Sequence, residues 1–554
     1  MLIYVLGALA VFLSLFLPGY VFLGLFRSDF TCEERIALSF VVTIPIQCLI
    51  VLLGALFFVP WYVFGIIDCL FVALSMAFFI RRKLHRDLIE ADLFGIEATL
   101  FMFMLSCLFV ALPSPIAYAS FNIKVQHLLD TPAADNYIPY RIAQFVINRL
   151  DLQHTTFLGD WSIADRTPLM GLVAAFLLQV LHVNVPSEFL WTLPAAAQGN
   201  SYQFFQMIGC FLNSLVILGA YMFLKQLFNR KVAQITTILL VVSSFVLLNT
   251  IFTWPKNLAA YFVFISYYLL LKGRAISSGF AASLAFLSHP LGAIYVVGGF
   301  VYAIYKKVGR IFFLSSVLTV LPWFLWSLLL FGAGGISRFV YYPISPSTVP
   351  PPNQPTYVLE QFIKTPLKVV LWNRVVTAYN MLAPFPLSTR ITPETSIVNT
   401  ILVPTTIFTL AGALGLSMFL FCYYGFARSF RLYKKELTSF VIVPFLVILI
   451  ETGWAGGLNA WHILQPLVPI MLALGVASVV YNKNLLTAIS FLYVLQNLLV
   501  LWVWSYPYTF LGQVWKNDPL ILVLVLACYA LVAIWSANYL LPKLRIFKSW
   551  KITN

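Results

Sequence analysis

The sequence predicts an all-α polytopic membrane protein, and its composition and hydropathy pattern carry that prediction. Hydrophobic residues make up 61% of the 554-residue chain, whereas charged residues make up only 10%. Apolar stretches of about 17–25 residues recur along it, which is the length that an α-helix needs to cross a bilayer core. Short segments of alternating hydrophobicity, which would indicate transmembrane strands, do not occur. A water-soluble globular fold is therefore excluded.

About fifteen segments have the length and hydropathy of membrane helices. Three consecutive ones in the middle of the chain are shorter than the rest, at 257–272, 276–290 and 291–305. In chain order the candidate spans are 2–26, 37–58, 62–80, 93–112, 204–227, 232–252, 257–272, 276–290, 291–305, 311–332, 398–425, 437–452, 464–480, 485–504 and 519–541.

These spans divide the chain into four regions. Residues 1–92 form an N-terminal three-helix module, and residues 93–332 form a membrane core that contains a long loop at 113–203. Residues 333–397 form a second long loop, rich in proline and aromatic residues, which is either a lid over a bound substrate or a surface connector. Residues 398–554 form the C-terminal membrane helices.

The net charge of +15 comes mainly from short segments between the spans. Roughly two thirds of the 34 Lys and Arg residues lie in segments that the positive-inside rule assigns to the cytoplasm, which indicates membrane orientation rather than nucleic-acid binding. The rule also places the N-terminus and both long loops outside and the C-terminus inside. The cytoplasmic segments are 27–35, 81–87, 225–231, 271–274, 305–310, 427–435, 481–484 and 542–554.

The first outer loop contains two predicted helices. The segment Leu169–Val183 is apolar enough to cross, but a crossing there would move most of the later basic residues outside. We therefore expect 168–183 to lie on or dip into the outer leaflet, and 135–150 to form a second such helix. The second helix has an apolar stripe of Ile138, Ile142, Phe145 and Val146, and the residues predicted to face away from it are Arg141, Gln144 and Asn148.

The same loop contains a polar stretch, Asp130–Pro168, that is rich in acidic residues although charged residues are rare in this chain. Five of the nineteen acidic residues lie in it. Carboxylates gathered beside an arginine in a membrane protein indicate catalysis or ion handling. These acidic residues are Asp130, Asp135, Asp151, Asp160 and Asp165.

Four short motifs on the outer side, in this order, resemble those of the GT-C superfamily of membrane glycosyltransferases. The relatives in question are the lipid A aminoarabinose transferases and the protein O-mannosyltransferases. They carry D-E-x-x-Y and then K-P-P-L/M at the starts of two juxtamembrane helices. Further along they often carry a Lys-Gly or similar pair, and near the last outer loops they carry R-Y-x-x-P. The similar motifs here are Asp135-Asn136-Tyr137 with Tyr140, Arg166-Thr167-Pro168-Leu169, His289-Pro290, and Trp461-His462-Ile463-Leu464-Gln465-Pro466.

The resemblance covers most of residues 93–480, with Asn136 in place of the usual acidic residue. It implies a GT-C-like helical bundle with two juxtamembrane helices in the first large outer loop. It also implies an enzyme that moves a sugar from a polyprenyl-phosphate donor to a glycan, lipid or protein acceptor. The reaction would take place at the non-cytoplasmic face of the plasma (inner) membrane.

On this resemblance Asp135 is the general base that takes the proton from the attacking hydroxyl group. A helix N-cap is the structural alternative, because aspartate favours that position. Asp160 and Asp165 are the other candidates for the base.

The leaving phosphate gains negative charge, so fixed cations should surround it. Arg166 is the first candidate, since a guanidinium binds phosphate bidentately, and Lys256 is the second. A salt bridge with Asp165 would explain Arg166 structurally, and snorkelling from a helix end would explain Lys256. His289 and His462 lie at predicted outer membrane edges, where each either contacts phosphate or sugar or bonds to the backbone.

Tyr140, Arg141 and Glu451 are further candidates for substrate binding. The seven cysteines form no CxxC motif and no Cys/His cluster, so no residue is assigned to a metal. Nothing in the sequence requires a cofactor. Use of a divalent cation stays an open alternative.

Two other functions compete with sugar transfer. A lipid or glycan transporter, such as a flippase, often shows inverted repeats and charges at the bilayer midplane. The sequence shows no such repeat, and its acidic residues cluster outside the spans. A ligase or polymerase that takes a whole glycan from a lipid diphosphate would have similar loops. The sequence therefore does not distinguish it from a glycosyltransferase that uses a polyprenyl-phosphate sugar.

Overall fold

The computed structural model describes residues 2–26, 29–111, 130–151, 163, 166–187, 200–341, 366–368, 371–372, 374–375, 378, 410–451 and 463–505. Within those residues all regular secondary structure is helical. Five of the described helices are long and apolar enough to cross a membrane, or up to seven if each of two bent helix pairs is one span. The chain is an all-α polytopic membrane protein, as predicted.

The N-terminal module is built from three long helices, α1 (Leu2–Phe26), α2 (Cys32–Leu56) and α3 (Trp61–Arg81). Helix α2 begins earlier than the predicted span because Thr31 caps it. The amide of Glu34 donates to Thr31 Oγ1 at 3.2 Å, and the amide of Thr31 donates to Glu34 Oε2 at 2.8 Å. Such a capping box starts a helix on polar residues, which a hydropathy pattern does not detect.

A sharp bend links this module to the core. The short helix α4 (Leu84–Glu90) makes an angle of 89° with the apolar helix α5 (Phe94–Ala111). Helix α5 matches the predicted span 93–112. The bend therefore separates a charged helix from the membrane helix that follows it.

The first outer loop contributes helices α6 (Asp130–Ile147) and α7 (Leu169–Val180). The 12 residues of α7 extend about 18 Å, which is less than the roughly 30 Å hydrocarbon core, so α7 does not cross by itself. Every residue of Leu169–Gln179 is buried, with α2, α3 and α6 packed around the helix. Protein thus encloses α7, whereas the sequence predicted a helix lying on or dipping into the outer leaflet.

Helix α6 is buried on both faces, which corrects the predicted orientation. Arg141 and Gln144 are 5% and 0% exposed. Gln144 Nε2 donates to the carbonyl of Pro186 at 2.9 Å, and Asn148 Nδ2 donates to the carbonyl of Val185 at 3.3 Å. Arg141 and Gln144 are buried and Asn148 is partly buried because the chain after α7 passes over them and its carbonyl groups accept their N–H bonds.

Helix α8 (Asn200–Leu227) is the centre of the core, and nearly all of its residues are buried. The predicted span 232–252 is two helices, which are bent by 62° relative to each other. The last core helix is interrupted at Gly332, where φ is 65°. After α8 the core helices are α9 (Arg230–Val241), α10 (Ser244–Ile251), α11 (Lys256–Leu271), α12 (Ala275–Ser288), α13 (Gly292–Tyr305) and α14 (Gly309–Tyr341).

The C-terminal region adds shorter helices and a π-helical turn. The described part of the predicted span 398–425 is split at Gly415, where φ is 74° and glycine is favoured. Most of 333–397 and all of 519–541 lie outside the described residues. The elements are α15 (Leu410–Leu414), α16 (Leu416–Phe430), α17 (Lys434–Leu437), the π-helix Thr438–Ile442, α18 (Val443–Glu451), α19 (Leu467–Val479) and α20 (Lys483–Ser505).

Basic segments that the charge pattern assigns to one side meet at one end of the bundle. Lys225 Nζ lies 2.6 Å from Glu33 Oε2, and Arg274 Nη2 lies 3.2 Å from Asp29 Oδ2. Segments far apart in the chain are therefore on the same side of the helices. We call this the basic end, defined by residues 29–35, 81–87, 225–231 and 271–274.

Candidate anion-binding site

Three basic side chains from separate parts of the chain meet at the end of the bundle opposite the basic end. Helix α11 begins there at Lys256 and ends at the basic end, and α12 runs back so that His289 follows its last residue. Arg166 lies just before α7. We call Arg166, Lys256 and His289 the cation cluster.

Lys256 is held at the first position of α11. Pro255 precedes it, and proline suits a helix start because that position has no intrahelical N–H bond to lose. The side chain is buried, at 4% exposure, and Nζ lies 3.7 Å from the centre of the Trp254 ring. The ring face stabilises the ammonium group, and the N-terminal end of the helix dipole favours a negatively charged ligand beside it.

The turn that carries Lys256 is fixed by Asn213, from the middle of α8. Asn213 Nδ2 donates to the carbonyl of Phe252 at 3.0 Å and to that of Trp254 at 3.4 Å. Asn213 Oδ1 accepts from the amide of Leu258 at 3.2 Å. One buried side chain thus bonds the turn on both sides of Lys256.

Arg166 is placed by its neighbour Thr167. Thr167 Oγ1 donates to the carbonyl of Ser288 at 2.9 Å, which joins the start of α7 to the end of α12. Arg166 is half-buried, and its own amide donates to the carbonyl of Ile163 at 3.2 Å. The arginine therefore lies beside the turn that follows α12.

His289 lies in that turn, with its ring 5.1 Å from the Trp254 ring. The amide of Leu291 donates to His289 Nδ1 at 3.2 Å, which leaves the ring proton on Nε2. Burial lowers the pKa of His289 well below its ordinary value, and the positive charges of Lys256 and Arg166 lower it further. His289 is therefore a neutral hydrogen-bond donor near pH 7.

This arrangement suits a phosphate oxyanion. A guanidinium and an ammonium supply fixed positive charge, and the imidazole supplies one more N–H bond. Within the described residues no group of three or more His, Cys, Asp and Glu side chains could hold a metal ion.

Asp135 lies inside α6, five positions after its first residue, so the alternative of a helix N-cap is wrong. The carbonyl of the next residue, Asn136, accepts a hydrogen bond from Thr253 Oγ1 at 3.2 Å. Thr253 precedes Trp254 in the turn before α11. The backbone at Asp135 is thus close to the turn that carries Lys256.

The two candidates for substrate binding on α6 are both buried. Tyr140 is 0% exposed, and its hydroxyl lies 2.7 Å from Ser201 Oγ. Arg141 Nη1 donates to Gln144 Oε1 at 3.2 Å and to the carbonyl of Ser187 at 3.4 Å. These contacts pack α6 against α8 and against the chain that follows α7.

The remaining candidates cannot be placed in the site. Asp160, Asp165 and His462 lie outside the described residues, and only the backbone of Glu451 is described, at the end of α18. The segment after His462 does reach the core. Gln465 Nε2 donates to Asn249 Oδ1 on α10 at 3.0 Å.

The sequence did not predict the role of Asn213 or the contact between Trp254 and Lys256. An asparagine inside an apolar span was the available signal for Asn213, because a polar amide in a membrane helix requires partners. Comparison with protein-family models, curated proteins and solved structures finds no match to this chain.

Proposed function

We propose that this chain is a membrane glycosyltransferase that moves a sugar from a polyprenyl-phosphate donor to a cell-envelope acceptor at the non-cytoplasmic face. The observation that carries the proposal is the cation cluster. Arg166, Lys256 and His289 were each assigned to the donor phosphate from sequence, and they come together from regions far apart in the chain. Converging positive charge favours a negatively charged ligand, and a lipid phosphate is one that the bilayer can deliver.

In this proposal the cluster holds the phosphate and the polyprenyl chain lies against apolar helices. The acceptor oxygen forms a bond to the anomeric carbon while the bond from that carbon to the phosphate oxygen breaks. Polyprenyl phosphate leaves with additional negative charge, which Lys256 and Arg166 stabilise. A single displacement of this kind inverts the configuration of the sugar.

Asp135 takes the proton that the acceptor hydroxyl loses. The proposal draws on the contact between Thr253 and the Asn136 carbonyl, which joins α6 to the turn before Lys256. A base on α6 and a phosphate beside α11 would then flank the reacting carbon.

Binding of a polyprenyl phosphate to the purified full-length chain tests the proposal, with the matched polyprenol as the ligand without phosphate. Lys256→Met keeps an apolar stem but removes the charge, and we expect it to weaken polyprenyl-phosphate binding about tenfold. Arg149→Ala is the control, since Arg149 is an exposed basic residue of the first outer loop and bonds to the carbonyl of Val59. It should retain wild-type affinity.

Equal affinity for the alcohol and the phosphate, or equal loss in both variants, would contradict donor-phosphate binding. Transfer is tested separately with a panel of polyprenyl-phosphate sugars, by measuring released polyprenyl phosphate. Phosphate-dependent binding without release from any donor would instead favour transport, or transfer from a lipid diphosphate.

A further inference from the structure

A second charged cleft lies at the basic end, far from the cation cluster. It has a volume of about 370 Å³ and opens between the end of α1, the start of α2 and the connection from α3 to α4. A Cβ at Gly24 would lie 3.2 Å from both Arg35 Nη1 and Leu84 Cδ1, so glycine keeps this space open. The lining residues are Gly24, Leu25, Phe30, Arg35, Arg82, Leu84 and Asp87.

Arg35 provides the inner cation of the cleft. Its Nη2 lies 2.6 Å from Asp87 Oδ2, and its guanidinium carbon lies 5.4 Å from the centre of the Tyr20 ring. The side chain is only 12% exposed. Arg35 Nε is buried and has no hydrogen-bond partner among the residues that the structure describes. A guanidinium that is mostly buried and only partly satisfied favours an additional oxygen ligand.

Arg82 provides the outer cation. It is exposed at the C-terminal end of α3, so it can turn toward the cleft or toward solvent. With one acidic residue against two arginines, the lining carries a net positive charge. Leu25, Phe30 and Leu84 form an apolar wall beside these charges.

Exposed apolar side chains lie near the cleft, as is typical of a surface that contacts a bilayer. Helix α4 is nearly perpendicular to α5, so it lies along the membrane surface when α5 crosses. Ile89 on α4 is 81% exposed, and Phe26 and Ile80 at the rim are 70% and 61% exposed. The cleft therefore offers a ligand two arginines beside apolar side chains.

We propose that this cleft binds the phosphate headgroup of an anionic phospholipid from the surrounding bilayer. The phosphate contacts Arg35 and Arg82, and the glycerol and upper acyl chains lie against Leu25 and Phe30. Basic pockets between membrane helices on the positively charged side of a protein recognise such headgroups. This inference is independent of the proposed enzyme activity.

Native mass spectrometry of the full-length chain with phosphatidylglycerol tests the inference, with phosphatidylcholine as the neutral lipid. Arg82→Ala should weaken phosphatidylglycerol binding about tenfold, the loss expected for one charge-assisted contact. Arg86→Ala is the matched control, because Arg86 is exposed four residues further on and outside the cleft lining. It should change affinity by less than about twofold.

Gly24→Leu fills the cleft without changing its charge, and we expect a loss similar to that of Arg82→Ala. Thermal unfolding in detergent checks that each variant is folded. Equal effects of Arg82→Ala and Arg86→Ala would overturn the proposal and leave only general attraction to a basic surface. Binding that survives both Arg82→Ala and Gly24→Leu would also overturn it. Inorganic phosphate that competes at the concentration of the lipid would overturn the assignment to a lipid.

Discussion

Asn213 Nδ2 donates a hydrogen bond to the carbonyl oxygen of Phe252 at 3.0 Å. A polar side chain in the buried helix α8 thus fixes the turn on which Lys256 depends. The position of the lysine is therefore coupled to the identity of a residue on another helix.

Replacing Asn213 with Ala should weaken both the fold and the anion site. Buried carbonyl groups of the turn would lose their donor, which costs about 1–3 kcal/mol in the free energy of unfolding. We also expect lower affinity for polyprenyl phosphate, because Lys256 loses its fixed position. Ser214→Ala is the control, since Ser214 Oγ bonds only within its own helix, to the carbonyl of Cys210 at 2.7 Å. Unchanged unfolding and binding in the Asn213 variant would exclude this coupling.

Replacing Asp135 with Asn should leave the fold intact and remove most of the transfer activity. A positioned general base contributes about 10²–10⁴-fold to rate. Turnover at matched protein level is the measurement, and Asp151→Asn, in an exposed position after α6, is the control. Near-normal turnover in the Asp135 variant would assign the base to Asp160 or Asp165 instead.

Substitutions at Arg166 should separate charge from geometry. Arg166→Lys keeps the charge but loses bidentate binding, and Arg166→Ala loses both, so activity should fall from wild type to Lys to Ala. The Ala variant should lose at least about tenfold, from a charged hydrogen bond of roughly 1.5–3 kcal/mol. If Arg166 only pairs with Asp165, activity should recover in the double variant Asp165→Ala/Arg166→Ala. Such a recovery would leave Lys256 as the main phosphate ligand.

The low pKa of His289 predicts a pH-dependent stability. The unfolded chain takes up a proton at His289 near pH 6.5, whereas the folded chain keeps the imidazole neutral. Below that pH the unfolded state binds more protons, so stability falls by up to about 1.4 kcal/mol per pH unit. Thermal unfolding between pH 5 and 7 should show this decrease, and His289→Gln should reduce it. Lys256→Met should reduce it in part, because one of the neighbouring positive charges is gone. Parallel profiles for wild type and His289→Gln would rule out this origin.

Hydropathy predicted most helices because an apolar run of span length has few alternatives in a membrane protein. Hydropathy did not predict a helix break that depends on a contact with a residue far away in the chain. The predicted span 232–252 breaks before Ser244, whose amide donates to Asn497 Oδ1 at 2.7 Å. That partner lies on α20, and no local pattern shows the contact.

For the candidate site, the sequence predicted which residues take part but not that they lie together. Arg166, Lys256 and His289 could be selected because charged and polar groups are rare and costly in this chain. Their common location depends on the Thr167–Ser288 bond and on Asn213, which involve backbone carbonyls that sequence does not distinguish. The buried orientation of Gln144 was missed for the same reason, since its partner is the carbonyl of Pro186.

The enclosure of α7 by the N-terminal module has a consequence for biosynthesis. Cys48 Sγ on α2 contacts the Leu169 carbonyl at 3.6 Å, and the Trp61 ring on α3 lies 4.9 Å from the His182 ring. Synthesis proceeds from the N-terminus, so α2 and α3 are already made when α7 leaves the ribosome. A nascent helix of this hydropathy would otherwise enter the lipid. Its earlier-made neighbours give it a protein surface to bind, which would keep it from inserting as an additional span.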